Sequence, residues 1–186
     1  MELKNMKYIE YTYLHRIALR FCIEKHLAGH PLLGHMLELA KNHDMDKMFL
    51  YTLVSKKAAS HYHRATAAHH MENDTPKSIC NFIEAVMDYE CAGYTKADKP
   101  LNAYDTVVQY GKSHQEELFH IMQEFGMNRS YKNTPDDPEW KEYLIKQGEI
   151  TDQVIMRELM EWVNTHQYRV AQLLKAAEDE DAIFAM

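Results

Sequence analysis

A chain of 186 residues with 46% hydrophobic residues suits one domain with a substantial core, which excludes a disordered chain. Its formal net charge of -7 excludes wholesale binding to a nucleic-acid backbone, which needs basic surface, so no non-specific nucleic-acid partner is expected. A nucleotide substrate stays open, because a metal ion can supply the local positive charge.

The three cysteines, Cys22, Cys80 and Cys91, form no CxxC pair and no disulfide framework, so a reducing cytoplasm is expected. The N-terminus carries Glu2, Lys4, Lys7 and Glu10 and has no signal-peptide run. No stretch of about 18 apolar residues occurs, so no membrane span is expected.

In chain order, residues 5–27 read as a helix with an apolar stripe of Ile9, Tyr13, Leu14, Ile17, Phe21 and Cys22. Ala28-Gly29-His30 ends it, and Pro31 opens a second helix to about Asn42 with Leu32, Leu33, Met36, Leu37 and Leu39 inward. Asp44 and Asp46 stand where a third helix starts, and 46–65 follows as one helix through Met48, Phe49, Leu53, Val54 and Ala58. Thr66 to Met71 either continues or breaks it. Asn73-Asp74-Thr75-Pro76 is a turn with Pro76 at the first position of a helix over 76–92, whose inner face holds Ile79, Phe82, Ile83, Val86 and Met87. Residues 93–99 are a loop. A long helix covers 102–125 and closes on Gly126, 127–138 is a polar loop, and helices over 138–147 and 150–178 finish the chain. No strand alternation and no repeat occurs. The fold class is all-α: one domain, with a core over about 5–125 and a helical extension over about 126–186.

Five of the twelve histidines lie from His43 to His70. In His43-Asp44 an imidazole and a carboxylate meet where the chain leaves a helix, so both can ligate one metal. Alone the pair reads equally as a dipole-favoured histidine followed by an N-cap. His15 sits beside the apolar stripe of the first helix. Asp88 borders a core stripe, where a carboxylate must be paired, capped or metal-bound. His61, His63, His69 and His70 fall within ten residues. His63 and His70 share a face if that helix continues. Neutral imidazoles with added carboxylates suit iron, manganese or zinc.

A helix histidine, an HD pair, further histidines and a later helix aspartate resemble the HD superfamily of metal-dependent phosphohydrolases. His15, His43, Asp44 and Asp88 fall at its four metal-ligand positions. His43 to Lys47 resembles the HD-x-x-K motif of the HD-GYP branch, and His69-His70-Met71-Glu72 its HHE motif, with His63 as the intervening ligand. The match is closer to a bacterial and phage family of domains of unknown function with an HD-x-x-KF segment and an HxxxxxHH segment, over about residues 8–110. The GYP tripeptide is absent, the spacing from His63 to His69 is short, and Met45-Asp46 replaces a small or apolar pair. The resemblance implies an HD-like helical bundle holding one or two divalent ions on His15, His43, Asp44, His63, His69, His70 and Asp88. It further implies hydrolysis of a phosphoester, of a nucleotide or a related small phosphorylated metabolite. Asp44 and Lys47 would be catalytic, Lys47 lying one turn from Asp44, and Arg16 and Arg64 would contact phosphate oxygens. An HD-fold di-iron oxygenase like myo-inositol oxygenase fits the same ligands, and a non-catalytic metal-binding or interaction protein is a third reading. The C-terminal helices could form a homodimer, cap the site or bind a partner. Glu117-x-x-His120 looks like half of a ferritin-type di-iron motif. No second Glu-x-x-His accompanies it, so His120 is expected to bind no metal.

Overall fold

The computed structural model describes residues 5–98 and 101–186, all-helical with no strand among them. Glu2, Lys4 and the last residue of the expected 93–99 loop lie outside the described residues.

Two helices form the centre. α1 (Met6–His26) is buried round most of its circumference, from Ile9 and Tyr13 through Leu19 to Ile23. A helix packed on several sides by others lies at the centre of a bundle, while Glu10, Arg20 and Glu24 stay exposed. α5 (Ile79–Thr95) packs along it and buries Ile83, Val86, Met87 and Tyr94. Around α1 lie α2 (Leu33–Asn42), α3 (Met45–Leu50), α8 (Pro138–Gln147) and α9 (Asp152–Thr165). α4 (Lys56–Thr66) packs on α3, while α6 (Ala103–Tyr110) and α7 (Gln115–Glu124) cover α5. α10 (Gln167–Ala177) returns against α3, and the short α11 (Glu180–Ile183) touches α4.

The expected helices exist, but three of them are divided. The 46–65 helix breaks before Ser55, whose side chain accepts from Ala58 N and starts α4 anew. The 102–125 helix breaks at Gly111, which takes φ 55°, and restarts after His114. The 150–178 helix breaks at His166, which ends α9 and begins α10. Pro76 does not open α5. Ser78 does, through a capping box with Asn81, and the helix continues to Thr95 through the expected loop start. Leu53 and Ile79, expected inside, are exposed. Gly93 is required: a Cβ there would lie 2.7 Å from Asn133 Cβ, so only glycine lets the 127–137 loop seat against α5.

Candidate metal centre

The centre is built around the junction between α2 and α3. His43 (φ -53°, ψ 128°) and Asp44 (φ 57°, ψ 8°) approximate the two middle positions of a type II turn. Asp44 therefore stands at the N-cap position of α3 but its side chain caps nothing: it accepts no bond from the helix. A left-handed aspartate costs on the order of 1–3 kcal/mol and persists only where its surroundings over-determine it. The turn aims both side chains inward, and both residues are buried.

His15 from α1 and Asp88 from α5 meet them. His15 Nε2 lies 2.6 Å from Asp88 Oδ1, and His43 Nε2 lies 3.6 Å from the same oxygen and 3.7 Å from Asp44 Oδ1. The second half arrives by a route the sequence did not indicate. α4 ends at Thr66, so His63 and His70 share no helix face. The chain turns back instead, and the His63 ring lies 5.1 Å from that of His69 and 4.9 Å from that of His70. His63 Nε2 is 2.7 Å from Asp44 Oδ1 and 3.3 Å from His69 Nε2, and His69 Nε2 is 3.7 Å from Asp44 Oδ1. Asp44 Oδ1 thus stands between the two halves. His15, His43 and Asp44 form one group and His63, His69 and His70 another, each with donor atoms within 4.8 Å of one another.

The outer nitrogens of three of these imidazoles are fixed by acids. Glu84, one turn before Asp88 on α5, accepts from His43 Nδ1 (2.9 Å) and faces His69 Nδ1 (3.4 Å). Asp46 accepts from His63 Nδ1 (2.9 Å) and is itself held by the Arg169 guanidinium from α10 (2.7 Å). Such carboxylate–histidine contacts set the tautomer that leaves Nε2 as a lone pair for a metal. Three buried atoms of the cluster, His43 Nε2, Asp44 Oδ1 and His70 Nε2, have no hydrogen-bond partner among the described residues. Buried polar atoms are normally satisfied, and acceptors converging on one another call for a cation. The donor set fits a divalent transition ion.

The charges agree. Burial opposes ionisation of Asp44, but Lys47, His63 and His43 outweigh it and hold the carboxyl well below its usual range. Burial likewise opposes charge on His43, yet the nearby carboxylates of Asp44, Asp88 and Glu84 raise its pKa to about 10. His63 goes to about 9, Asp44 and Asp46 overcoming burial. His69 is pushed down to about 4 by burial and by His43, and His70 to about 2 by burial and by His69. These two stay neutral, with lone pairs free.

Lys47 Nζ donates to Asp44 Oδ2 at 2.9 Å. Both residues open onto a cavity of about 630 Å³ together with His15, Asp88, Arg64, Lys96 and Lys112. A smaller cavity of about 320 Å³ on the other side is lined by Asp44, His63 and His69 and roofed by Trp162, His166 and Arg169. The C-terminal helices therefore cap the centre. Arg64 lines the larger cavity. Arg16 does not: one residue past His15 is a step of about 100° round the helix, and its guanidinium donates to the Lys41 carbonyl (2.7 Å) beside a separate pocket. His120 is exposed on α7, outside the clusters found. Cys91 Sγ lies 3.5 Å from His15 Nδ1, but burial holds it as a thiol that donates back to the Asp88 carbonyl. All three cysteines are free.

Comparison with models of protein families, with curated proteins and with solved structures gives no match. The site therefore rests on its own geometry. Among the described residues no helix is long and apolar enough to cross a membrane.

The sequence reading passed over Glu84, Asp46 as a histidine partner, and Arg169. For Glu84 a signal existed, since acids at positions i and i+4 lie on one helix face. For Arg169 there was none, because 123 residues separate it from Asp46.

Proposed function

We propose that the protein is a metal-dependent phosphohydrolase of the HD kind, acting on a phosphoester of a nucleotide or a related small phosphorylated metabolite. One observation carries the reading. Asp44 Oδ1 lies within 3.7 Å of His43, His63 and His69, between the two groups of histidines, and Asp44 opens, with Lys47, onto a cavity walled by Arg64, Lys96 and Lys112. A cavity of about 630 Å³ lies within the usual range for small-molecule sites. Tyr11, Tyr89 and Tyr110 also line it and offer rings on which a base can stack.

His15, His43, Asp44 and Asp88 would hold a first divalent ion, iron, manganese or zinc. His63, His69 and His70 would hold a second that shares Asp44. An ion so held supplies Lewis-acid polarisation of a phosphoryl oxygen and a water acidified toward neutrality. The protein's own residues do the rest. Lys47, kept charged by Asp44 against the effect of burial, stands at the cavity floor to balance charge developing on the phosphoryl group. Arg64, Lys96 and Lys112 bind and orient phosphate oxygens. Glu84 and Asp46 hold the protons on Nδ1 of His43 and His63, so that Nε2 faces inward.

The test is elemental analysis of purified protein beside a screen of generic phosphodiester and nucleotide substrates with added manganese, iron or zinc. Metal-dependent release of phosphate supports the reading; no bound metal and no turnover with any of the three ions rejects it. The same paired histidine and carboxylate groups also suit an HD-fold di-iron oxygenase. About two irons per chain with oxygen consumption would select that activity instead.

A further inference from the structure

Arg16 was expected to reach substrate, yet it faces a pocket of its own. The pocket, about 260 Å³, lies between α1, the α8–α9 connection and α9. It shares no lining residue with either cavity at the metal centre. Three guanidiniums line it: Arg16, Arg20 one turn further along α1, and Arg157 from α9.

Arg16 is the anchor. It is only 8% exposed. A guanidinium has five donors, but this one makes a single short bond, to the Lys41 carbonyl, and stands 4.0 Å from Glu158. Its Nε is buried and has no partner among the described residues. A buried cation so weakly compensated is costly unless another anion completes its shell. Glu158 does not complete it: its Oε2 stands 4.0 Å off, outside hydrogen-bond reach, while its Oε1 accepts from Tyr13 OH at 2.7 Å. Arg20 and Arg157, both exposed, make no ion pair or side-chain hydrogen bond among the described residues. Against the three arginines the lining sets two acids, Glu158 and the exposed Glu149, so positive charge is in excess.

We propose that this pocket binds a small phosphate-type oxyanion at a site separate from the metal centre. Converging guanidiniums match a tetrahedral oxyanion through paired, charge-assisted hydrogen bonds. The volume takes a phosphate group with its water, or a small phosphoester. The site adjoins the metal centre through the backbone. Arg16 follows His15 directly, and the carbonyl it grips belongs to Lys41, two residues before His43. An anion here engages the guanidinium that holds the end of α2 beside two metal donors.

Isothermal titration calorimetry on metal-stripped protein tests this without any turnover, so its failure is separable from failure of the phosphohydrolase reading. Inorganic phosphate and methyl phosphate are titrated into the wild type, Asp44→Asn and Arg20→Gln/Arg157→Gln, with acetate as the control. The expected result is saturable one-to-one binding of phosphate or methyl phosphate, the tighter of the two naming a free ion or an ester as ligand. Asp44→Asn should keep that affinity, and the double arginine variant should lose at least about tenfold. Both arginines are exposed, so unchanged circular dichroism is expected of that variant. No saturable binding, equal binding of acetate, or loss in Asp44→Asn with retention in the arginine variant would overturn the proposal.

Discussion

Glu90 and the pair Glu84 and Asp88 ride on the same helix, α5, with their carboxylates largely or wholly buried, and their surroundings differ sharply. Glu90, fully buried, accepts from Ala103 N (2.9 Å), Tyr131 OH (2.7 Å) and Asn133 Nδ2 (2.8 Å), with His26 Nε2 at 3.5 Å. Burial works against its ionisation, but these partners hold its pKa below the ordinary 4.5. Both of its oxygens accept hydrogen bonds, although His26 Nε2 beside them has no partner of its own among the described residues. Glu84 and Asp88 face histidines whose inner atoms include unpartnered ones. A satisfied buried carboxylate is a structural tie, here joining α5 to α6 and to the 127–137 loop. A half-satisfied cluster is a receptor.

The largest expected effect separates the two most clearly. Saturating metal at about 1,000 times its Kd should stabilise the wild type by about 4 kcal/mol. At about 2–4 °C per kcal/mol for a chain of this size, Tm should rise by roughly 8–16 °C. His43→Ala and Asp44→Ala should abolish that rise and the bound metal, read by calorimetric scanning and elemental analysis, with helicity largely kept. Glu90→Ala should do the reverse. It strands the donors of Tyr131 and Asn133, lowers stability by about 3 kcal/mol with or without metal, and leaves the metal-induced rise intact. Loss of the metal response in Glu90→Ala would break the contrast.

Glu84→Gln is the intermediate case. It should weaken metal binding by about 10–100-fold in a chelator competition, because an amide keeps an acceptor for His43 Nδ1 but removes the charge that fixes its tautomer and raises its basicity. Acid gives a smaller effect. Glu90 binds its proton less readily folded than unfolded, so its contribution is present above pH 4.5 and lost as pH falls through the lower folded value. Glu90→Gln should therefore flatten the acid limb of stability against pH by about one proton, or roughly 1.4 kcal/mol per pH unit. Arg169→Gln, which loosens Asp46 and through it His63, should change metal affinity by less than about fivefold.

The helical class and the gathering of His15, His43, Asp44 and Asp88 were legible in the sequence because they follow from local pattern. His15 falls beside an apolar stripe, Asp88 borders another, and His43-Asp44 marks a helix exit. The breaks at Ser55, Gly111 and His166 were not, since apolar spacing continues across them while capping and backbone geometry decide. Whether the helix carried on past Thr66 was left open by the sequence; it ends there, and a reversed chain, not a continued helix face, brings His69 and His70 to His63. Arg16 shows the opposite failure. Adjacency in sequence to a ligand suggested adjacency in space, and the helical step turned it away into another pocket.

The ion pair between Arg169 and Asp46 spans 123 residues, and its arginine comes from the second-last helix. During synthesis Asp46 emerges long before its partner does. A nascent chain stopped before α10 would hold every proposed metal ligand yet lack Arg169, which is both the clamp on Asp46 beside His63 and one part of the roof over the smaller cavity. The centre is therefore finished late in translation. Metal capture by ribosome-bound chains should strengthen only once α10 has cleared the exit tunnel.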